Sequence, residues 1–285
     1  MIIMLGKIIL SLLLSLFGFE MCSAKTNNLK IISFNIGGDF IADGPNQWKN
    51  RKPLIMQFIS KESPDILCIQ EVLINQLNEI KECFQIYNMV GVSRVDGKEK
   101  GDFVPIFYKK DKYEQINSGT FCLSEKPDSI GYIGWDAKYP RIATWINLRN
   151  LKTGDIVFVL NTHLDNVGKN ARMNSMKLIL EKISLLSKSD KIILTGDFND
   201  VVSSKVHEIA IQGELNDTYL ISPQTKGAHY TFHQFGQKDL GNRYKLDYIF
   251  ASKNFKIHSV NIPAESPKGG VYISDHNPVI VKMKF

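Results

Sequence analysis

Short apolar or alternating runs recur along this chain, at residues 29–35, 66–70, 86–92, 104–108, 142–148, 156–162, 191–194, 244–250, 256–262 and 279–285. Runs of that length, rich in Ile, Val, Leu and Phe, predict β-strands. Three segments change period. Residues 48–61 bring Leu54, Ile55, Phe58 and Ile59 to one side, and residues 168–187 repeat Met176, Ile179, Leu180, Ile183 and Leu186 at helical spacing. Residues 203–211 form a shorter helical candidate. Strands in that number with helices between them predict two sheets face to face with helices outside. Periodicity alone leaves other mixed α/β arrangements open.

The N-terminus follows a different pattern. Residues 1–7 carry one Lys, residues 8–19 are apolar apart from Ser and Gly, and Cys22-Ser23-Ala24 supplies small residues. That is the three-part layout of a secretory signal, and the apolar run is too short for a comfortable membrane span. The expectation is a signal peptide at 1–24, cleaved near Ala24, and one domain at 25–285, secreted or periplasmic. An uncleaved anchor, or lipidation at Cys22, is the alternative, though bulky Met21 stands where lipidation wants a small residue.

Composition then narrows the partners. The net charge is +6, and the leader holds one charge of each sign, Lys7 and Glu20, so its removal changes nothing. This suits acidic partners such as phosphate esters but is no nucleic-acid signature, since no long basic stripe interleaves with aromatics. Segment 92–102 mixes Arg94, Lys98 and Lys100 with Asp96, Glu99 and Asp102, and Lys109, Lys110 and Lys112 follow a strand. Past the leader, Cys68, Cys83 and Cys122 are too few and scattered for a disulfide framework, although a Cys83–Cys122 pair stays open.

The chemistry lies where the strands end. Ile31–Phe34 runs into Asn35, Ile66–Gln70 into Glu71, and Val157–Thr162 into His163. Ile192–Gly196 runs into Asp197-Phe198-Asn199, Asp247 opens Tyr248-Ile249-Phe250, and Ser274-Asp275-His276 leads into the last strand. Any one of these, alone, is a turn, a cap or a hydrogen-bonded structural residue. Together, at strand ends that converge on one edge, they can line one cleft. Carboxylates such as Glu71 and Asp197 suit Mg2+, Mn2+ or Ca2+, and no Cys/His spacing for structural zinc is present.

That ordered set, from Phe34-Asn35 through Gln70-Glu71, Thr162-His163-Leu164, Gly196-Asp197-Phe198-Asn199 and Leu246-Asp247-Tyr248 to Ser274-Asp275-His276, resembles the endonuclease/exonuclease/phosphatase superfamily. The resemblance implies a four-layer α/β sandwich of two mainly antiparallel sheets with helices outside. It implies a hydrolase dependent on Mg2+ or Mn2+, with Glu71, Asn35 and Asp275 around the metal. Asp197 would orient or deprotonate the attacking water, and Asn199 would donate to the phosphoryl group or fix that water. Asp247 and His276 would pair, and His163 would donate to a phosphoryl oxygen. Two assignments are softer: Arg141 as a phosphate contact, against a surface salt bridge, and Tyr108 as a mid-chain tyrosine of uncertain register. Asp165 either reaches the cleft or caps the next helix.

Segments 119–125, 134–136 and 231–236 are similar to those of exported bacterial members. Trp135, Phe232 and Phe235 there would stack on a base or ring, or would simply anchor loops. Three functions follow. First comes a phosphodiesterase or nuclease. A phosphatase or sphingomyelinase-like phospholipase, acting on a small or lipid phosphoester, comes second, and a non-catalytic secreted binding protein third. The expected partner is a phosphoester, nucleic acid or small molecule or lipid, taken by a monomer without an obligate protein partner.

Overall fold

The computed structural model describes residues 27–264 and 267–285, so the expected signal peptide at 1–24 lies outside the described residues. In chain order the strands are β1 (Asn28–Asn35), β2 (Ile66–Gln70), β3 (Tyr87–Val90), β4 (Ile106–Lys109), β5 (Tyr113–Cys122), β6 (Ile142–Asn150) and β7 (Ile156–His163). There follow β8 (Ile192–Asp197), β9 (Leu215–Asp217), β10 (Thr225–Gly227), β11 (Asp247–Ser252), β12 (Lys256–Ile262) and β13 (Val279–Lys284). The helices are α1 (Trp48–Glu62), α2 (Ile74–Cys83), α3 (Lys169–Leu186), α4 (Lys205–Gln212) and α5 (Thr218–Ile221).

One sheet runs β10-β12-β13-β1-β2-β4-β3 and the other β5-β6-β7-β8-β11-β9. Most neighbours are antiparallel. β1 with β2, β7 with β8, and β10 with β12 are parallel. Parallel neighbours need a long crossover. α1 supplies it for the first pair and α3 for the second.

Alternation along each strand explains the layers. In β1, Leu29 and Ile31 enter a core shared with Ile66 and Cys68 of β2, Val157 and Val159 of β7, and Ile249 and Ala251 of β11. The intervening Ile32 and Phe34 turn outward onto Ile55 and Ile59 of α1 and Leu77 and Ile80 of α2. Phe158, Leu160 and Leu194 do the same on the other side, against Met176, Ile179 and Ile183 of α3 and Val206 and Ile209 of α4. Strands buried on both faces read as continuous apolar runs.

Some elements depart from the sequence pattern. β5 was not anticipated, because at the sheet's edge its Glu114, Gln115, Asn117 and Ser118 stay partly exposed and spoil the apolar alternation. α2 was missed for the same reason: only Gln76, Leu77 and Ile80 of its residues are buried. The strand expected from residue 244 joins the sheet only at Asp247, since Tyr244 instead bridges to Phe232.

Candidate active site

The inner faces of the central strands change character at one end. In β1 the inward series Leu29, Ile31 continues as Ser33 and Asn35, and in β2 Ile66, Cys68 continues as Gln70. Val157, Val159 of β7 become Asn161 and His163, and Ile193 of β8 becomes Thr195 and Asp197. β11 runs antiparallel to β8, so its first residue, Asp247, pairs with Asp197. His163 also pairs with Asp197, across the parallel β7–β8 ladder. Gly196 allows that approach: it adopts φ +150°, and a Cβ there would lie 2.1 Å from the Thr162 carbonyl.

A buried polar layer joins the two sheets beneath the site. Gln70 donates Nε2 to Ser33 Oγ (3.2 Å) and to Asn161 Oδ1 (2.7 Å). Asn161 in turn donates Nδ2 to the carbonyls of Ile69 (2.9 Å) and Pro105 (3.0 Å) of the opposite sheet. These amide bonds tie the two sheets together under the cleft, although Gln70 Oε1 is left buried without a partner among the described residues.

Above that layer lie the carboxylates. Asn35 donates Nδ2 to Glu71 Oε1 (3.1 Å) and Asp197 Oδ2 (3.0 Å), while its Oδ1 accepts the Gly37 N–H (3.0 Å). Asn35, expected at the metal, thus has both ends of its amide engaged and positions the two acids. Glu71 itself sits at φ +60°, a left-handed backbone unusual for Glu, which turns its side chain out of the strand direction. Burial, then Asp275, raises the Glu71 pKa, although 28 % of the side chain still faces solvent. Burial and the neighbouring Asp247 push Asp197 up to about 7. Asn199 donates its backbone N–H to Asp197 Oδ1 (2.9 Å).

Three histidines surround them. His276 Nδ1 lies 2.7 Å from Asp247 Oδ2, and its Nε2 lies 3.7 Å from Asp197 Oδ2. Burial opposes charge on this ring, but Asp247 and Asp197 outweigh it and hold its pKa well above the ordinary value. His163 is the opposite case. Burial, with Arg141 and Arg94 nearby, drives its pKa well below the usual value and keeps the ring neutral. Asn199 Nδ2 reaches His163 Nε2 at 3.0 Å, so in this arrangement Nε2 accepts. The third ring, His233, anchors a loop: its backbone N–H and that of Gln234 donate to the Asp275 carbonyl (3.0 and 3.2 Å). Thr231, in the same loop, accepts the Leu246 and Asp247 N–H groups (2.9 and 3.1 Å), which sets the start of β11.

Arg51 on α1 is the hub of this loop system, and sequence reading gave it no role. It is fully buried, and its guanidinium donates to the carbonyls of Ile36, Gly37, Gly38, Asn46 and Ile273. It therefore ties the end of β1 to the segment entering Ser274-Asp275-His276. Gly37, at φ +66°, lies between: a Cβ there would meet Asp275 Oδ1 at 3.4 Å and Arg51 Nη2 at 3.5 Å.

A cleft of about 330 Å3 opens over these groups. Its lining includes Glu71, His163, Asp197, Asn199, Asp275 and His276 from the expected set, and Arg141. Arg94, Asp102, Tyr139, Asn166, Phe40 and Phe232 also line it. Arg141 donates Nε to Asp165 Oδ2 (3.3 Å) and Nη2 to Asn166 Oδ1 (3.3 Å). Of its two readings Asp165 takes the capping one, its Oδ1 accepting at the turn from Val167 and Gly168 (3.0 and 2.8 Å), and it meets the cleft only through Arg141. Among the described residues Arg141 Nη1 and Arg94 Nε are buried without a partner. Both guanidiniums stack on the Tyr139 ring, at 5.7 and 5.3 Å.

Tyr108 requires correction. It pairs with Ile66, at the start of β2, whereas the site lies at that strand's far end beyond Gln70. Its ring is buried between the sheets and its hydroxyl donates to Gln115 Oε1 (3.2 Å). Trp135 and Phe235 also fall outside the lining. The Trp135 N–H bonds Glu125, and the Phe235 ring lies 5.8 Å from the Arg51 guanidinium.

The donor set can hold a divalent cation. Oxygens of Asp197 and Asp247 and a nitrogen of His276 lie within 4.8 Å of one another. His276 Nδ1 is already bonded to Asp247, however, and Asp247 does not reach the cleft. Glu71, Asp197 and Asp275 do reach it. The crowding of these acids, and the raised pKa of Glu71 and Asp197, are what a cation relieves, and carboxylate oxygens are ligands suited to Mg2+ or Mn2+.

Residues 32–276 match the model of the Endonuclease/Exonuclease/phosphatase family. The chain belongs to that family. Its members are phosphoester hydrolases. The family's endonuclease/exonuclease/phosphatase of Bacteroides vulgatus is 39 % identical and superposes with a TM-score of 0.87, over 90 % of this chain and 98 % of that one. A mannosyl-6-phosphatase of Bacteroides thetaiotaomicron is 33 % identical with a TM-score of 0.83, over 90 % of this chain and all of that one (100 %). Among curated relatives, the CCR4-Not complex 3'-5'-exoribonuclease subunit of Aspergillus clavatus is 26 % identical over 202 residues, 60 % of this chain and 30 % of that protein. Protein angel of Drosophila melanogaster is 24 % identical over 220 residues, 70 % of this chain and 60 % of that protein. The chain thus spans less than two thirds of the length of these two curated relatives.

Proposed function

We propose that this family member is a divalent-metal-dependent hydrolase of small phosphomonoesters. The observation that carries this reading is the pair of guanidiniums, Arg94 and Arg141, which line the cleft beside its carboxylates and imidazoles and each keep a buried nitrogen without a partner among the described residues. A monoester presents two negative charges on its terminal phosphoryl group and a diester one. Two forked cations beside a metal site match the first better. The similarity to a mannosyl-6-phosphatase supports the same reading.

A bound Mg2+ or Mn2+, held by Glu71 and Asp275, would supply polarisation of phosphorus and stabilise the departing oxygen. The chain's own groups do the rest. Arg141 and Arg94 orient the phosphoryl oxygens. Asp197 takes a proton from the attacking water, and Asn199 fixes the Asp197 carboxylate through its backbone N–H. His276, kept cationic by Asp247, faces the charge that develops on the phosphoryl group.

Phosphodiester cleavage is the second reading, favoured by the exoribonuclease name carried by the Aspergillus relative. Release of inorganic phosphate from phenyl phosphate and a hexose 6-phosphate, against cleavage of bis(4-nitrophenyl) phosphate and a short oligonucleotide, separates the two. Diester turnover with no phosphate release from the monoesters rejects our reading. We infer further that the protein is exported and processed, from the apolar 8–19 run and Cys22-Ser23-Ala24. N-terminal sequencing of extracytoplasmic protein should begin at Lys25, and a mature chain that keeps Met1 in the cytoplasm sinks that inference.

A further inference from the structure

The wall that carries the two arginines continues at both ends. Its order is Asn166, Arg141, Tyr139, Arg94, Asp102, each in contact with the next through a hydrogen bond, a ring stack or an ion pair. Asp102 is out of place if the cleft receives only a phosphoryl group, because a carboxylate repels an anion. Its Oδ2 pairs with Arg94 Nη1 at 2.8 Å. Among the described residues its Oδ1 has no partner, and neither has Nδ2 of Asn166, whose Oδ1 serves Arg141. The wall thus offers, beyond its two guanidiniums, one free acceptor and one free donor. Two aromatic rings share the cleft: Phe40, 49 % exposed, and Phe232, tilted over His276 at 4.9 Å.

The segment that presents Asp102 is built to hold still. Arg94 N–H donates to the Asp102 carbonyl (3.0 Å), closing residues 94–102 into a hairpin. At its tip Asp96 Oδ1 accepts from Ser93 Oγ and the backbone N–H groups of Lys98, Glu99 and Lys100, at 2.7 to 3.0 Å. Phe103 then bridges both Ser93 and Val72, the residue after Glu71. The Arg94–Asp102 pair is therefore fixed relative to the carboxylate centre, as recognition of a ligand group requires.

We propose that Asp102, Arg94 and Asn166 form a subsite for a polyhydroxylated leaving group, so that the substrate is the phosphate monoester of a sugar or sugar alcohol. The proposal rests on the phosphomonoesterase reading and specifies what lies beyond the ester oxygen. Each sugar hydroxyl both donates and accepts. A carboxylate oxygen next to guanidinium N–H groups satisfies two neighbouring hydroxyls at once. The apolar C–H face of a pyranose ring matches the exposed rim ring of Phe40. A cleft of about 330 Å3 is of the size that holds one ring and its phosphate. In hydrolysis the water oxygen bonds to phosphorus, the phosphorus–sugar oxygen bond breaks, and the sugar oxygen leaves with a proton as a hydroxyl group.

The test measures kcat/KM on a hexose 6-phosphate and on phenyl phosphate, with Mg2+, for the wild type and for Asp102→Ala, Asp102→Asn and Asn166→Ala. The wild type should favour the hexose phosphate at least about tenfold, the scale on which hydroxyl-reading sites begin to discriminate. Asp102→Ala should lower that ratio by about 10-fold or more, chiefly through KM for the hexose phosphate. Asp102→Asn, which still accepts a hydrogen bond, should keep more of it, and Asn166→Ala should lower it independently. Equal losses on both substrates, or a wild type that prefers phenyl phosphate or a nucleoside monophosphate, overturns the subsite while leaving the phosphatase reading standing. Absence of any monoester hydrolysis strikes the phosphatase reading itself, and the subsite falls with it.

Discussion

His276 stands between two acids, with Nδ1 2.7 Å from Asp247 Oδ2 and Nε2 3.7 Å from Asp197 Oδ2. The first contact fixes the ring. The second makes its charge sensitive to what Asp197 holds. Since Asp247 is the largest charge that raises the His276 pKa, Asp247→Asn should bring the imidazole back toward its ordinary value. If catalysis needs the imidazolium, the alkaline limb of the kcat profile should move to lower pH in that variant. Dyad members act as a unit, so Asp247→Asn combined with His276→Ala should be little worse than either alone. NMR titration of the ring and the three pH profiles check this, and losses that multiply would contradict it.

His163 and His276 should pull stability in opposite directions with pH. The raised His276 contributes stability that is complete below about pH 6.5, the unfolded value, and is lost as pH rises through its folded value. The lowered His163 contributes stability that is complete above about 6.5 and is lost as pH falls. His163→Gln should therefore flatten the acid limb of a denaturation-midpoint profile and leave the alkaline limb in place. An unchanged acid limb would remove His163 from the account.

Arg51 should matter to both fold and site. Arg51→Met leaves the carbonyls of Ile36, Gly38, Asn46 and Ile273 without their donor, while Gly37 keeps Gln76 Nε2, and a buried carbonyl without a partner is costly. A loss of about 3 kcal/mol or more is expected in denaturant titration. The metal concentration for half-maximal activity should also rise, because Ile273 leads directly into Ser274-Asp275-His276. A variant with wild-type stability would show the hub to be dispensable.

At the cleft wall, Arg141→Ala should lower kcat/KM by about 10-fold or more on the proposed reading, in which its partnerless Nη1 takes a phosphoryl oxygen. Tyr108→Phe serves as the contrasting variant. It removes one interior hydrogen bond to Gln115, far from the cleft, so activity should persist and stability fall by about 1 kcal/mol or less. Comparable activity losses in the two would reverse the placement of Tyr108.

Which parts were legible in sequence follows from burial. Strands covered on both faces, such as β1, β7 and β8, announce themselves as apolar runs, and the polar residue that ends each run is the inner-face position where the core gives way to the cleft. His163 and Asp197 stand out for that reason, Glu71 because it follows its run directly, and Asp247 and His276 because they precede or open the apolar strands β11 and β13. Arg94 and Asp102 were visible only as members of a charge-neutral segment, because their pairing depends on a hairpin that no short-range pattern encodes. Lys109 and Lys112 turned out to neighbour Asp65 at the other end of the sandwich, 3.8 and 2.9 Å from its carboxylate. Arg51 looked like one more basic residue on a helix, since its partners are backbone carbonyls brought together from both ends of the chain.

Hydrolysis of a phosphomonoester in 18O-labelled water shows whether Asp197 delivers water to phosphorus at a carboxylate site that holds a metal. The account predicts one labelled oxygen in each phosphate released and none in the alcohol. Release should stop in chelator, return with Mg2+ or Mn2+, and fall by about 10²–10⁴-fold in Asp197→Asn. Label appearing in the alcohol, or undiminished release from the chelated protein or from Asp197→Asn, would contradict it.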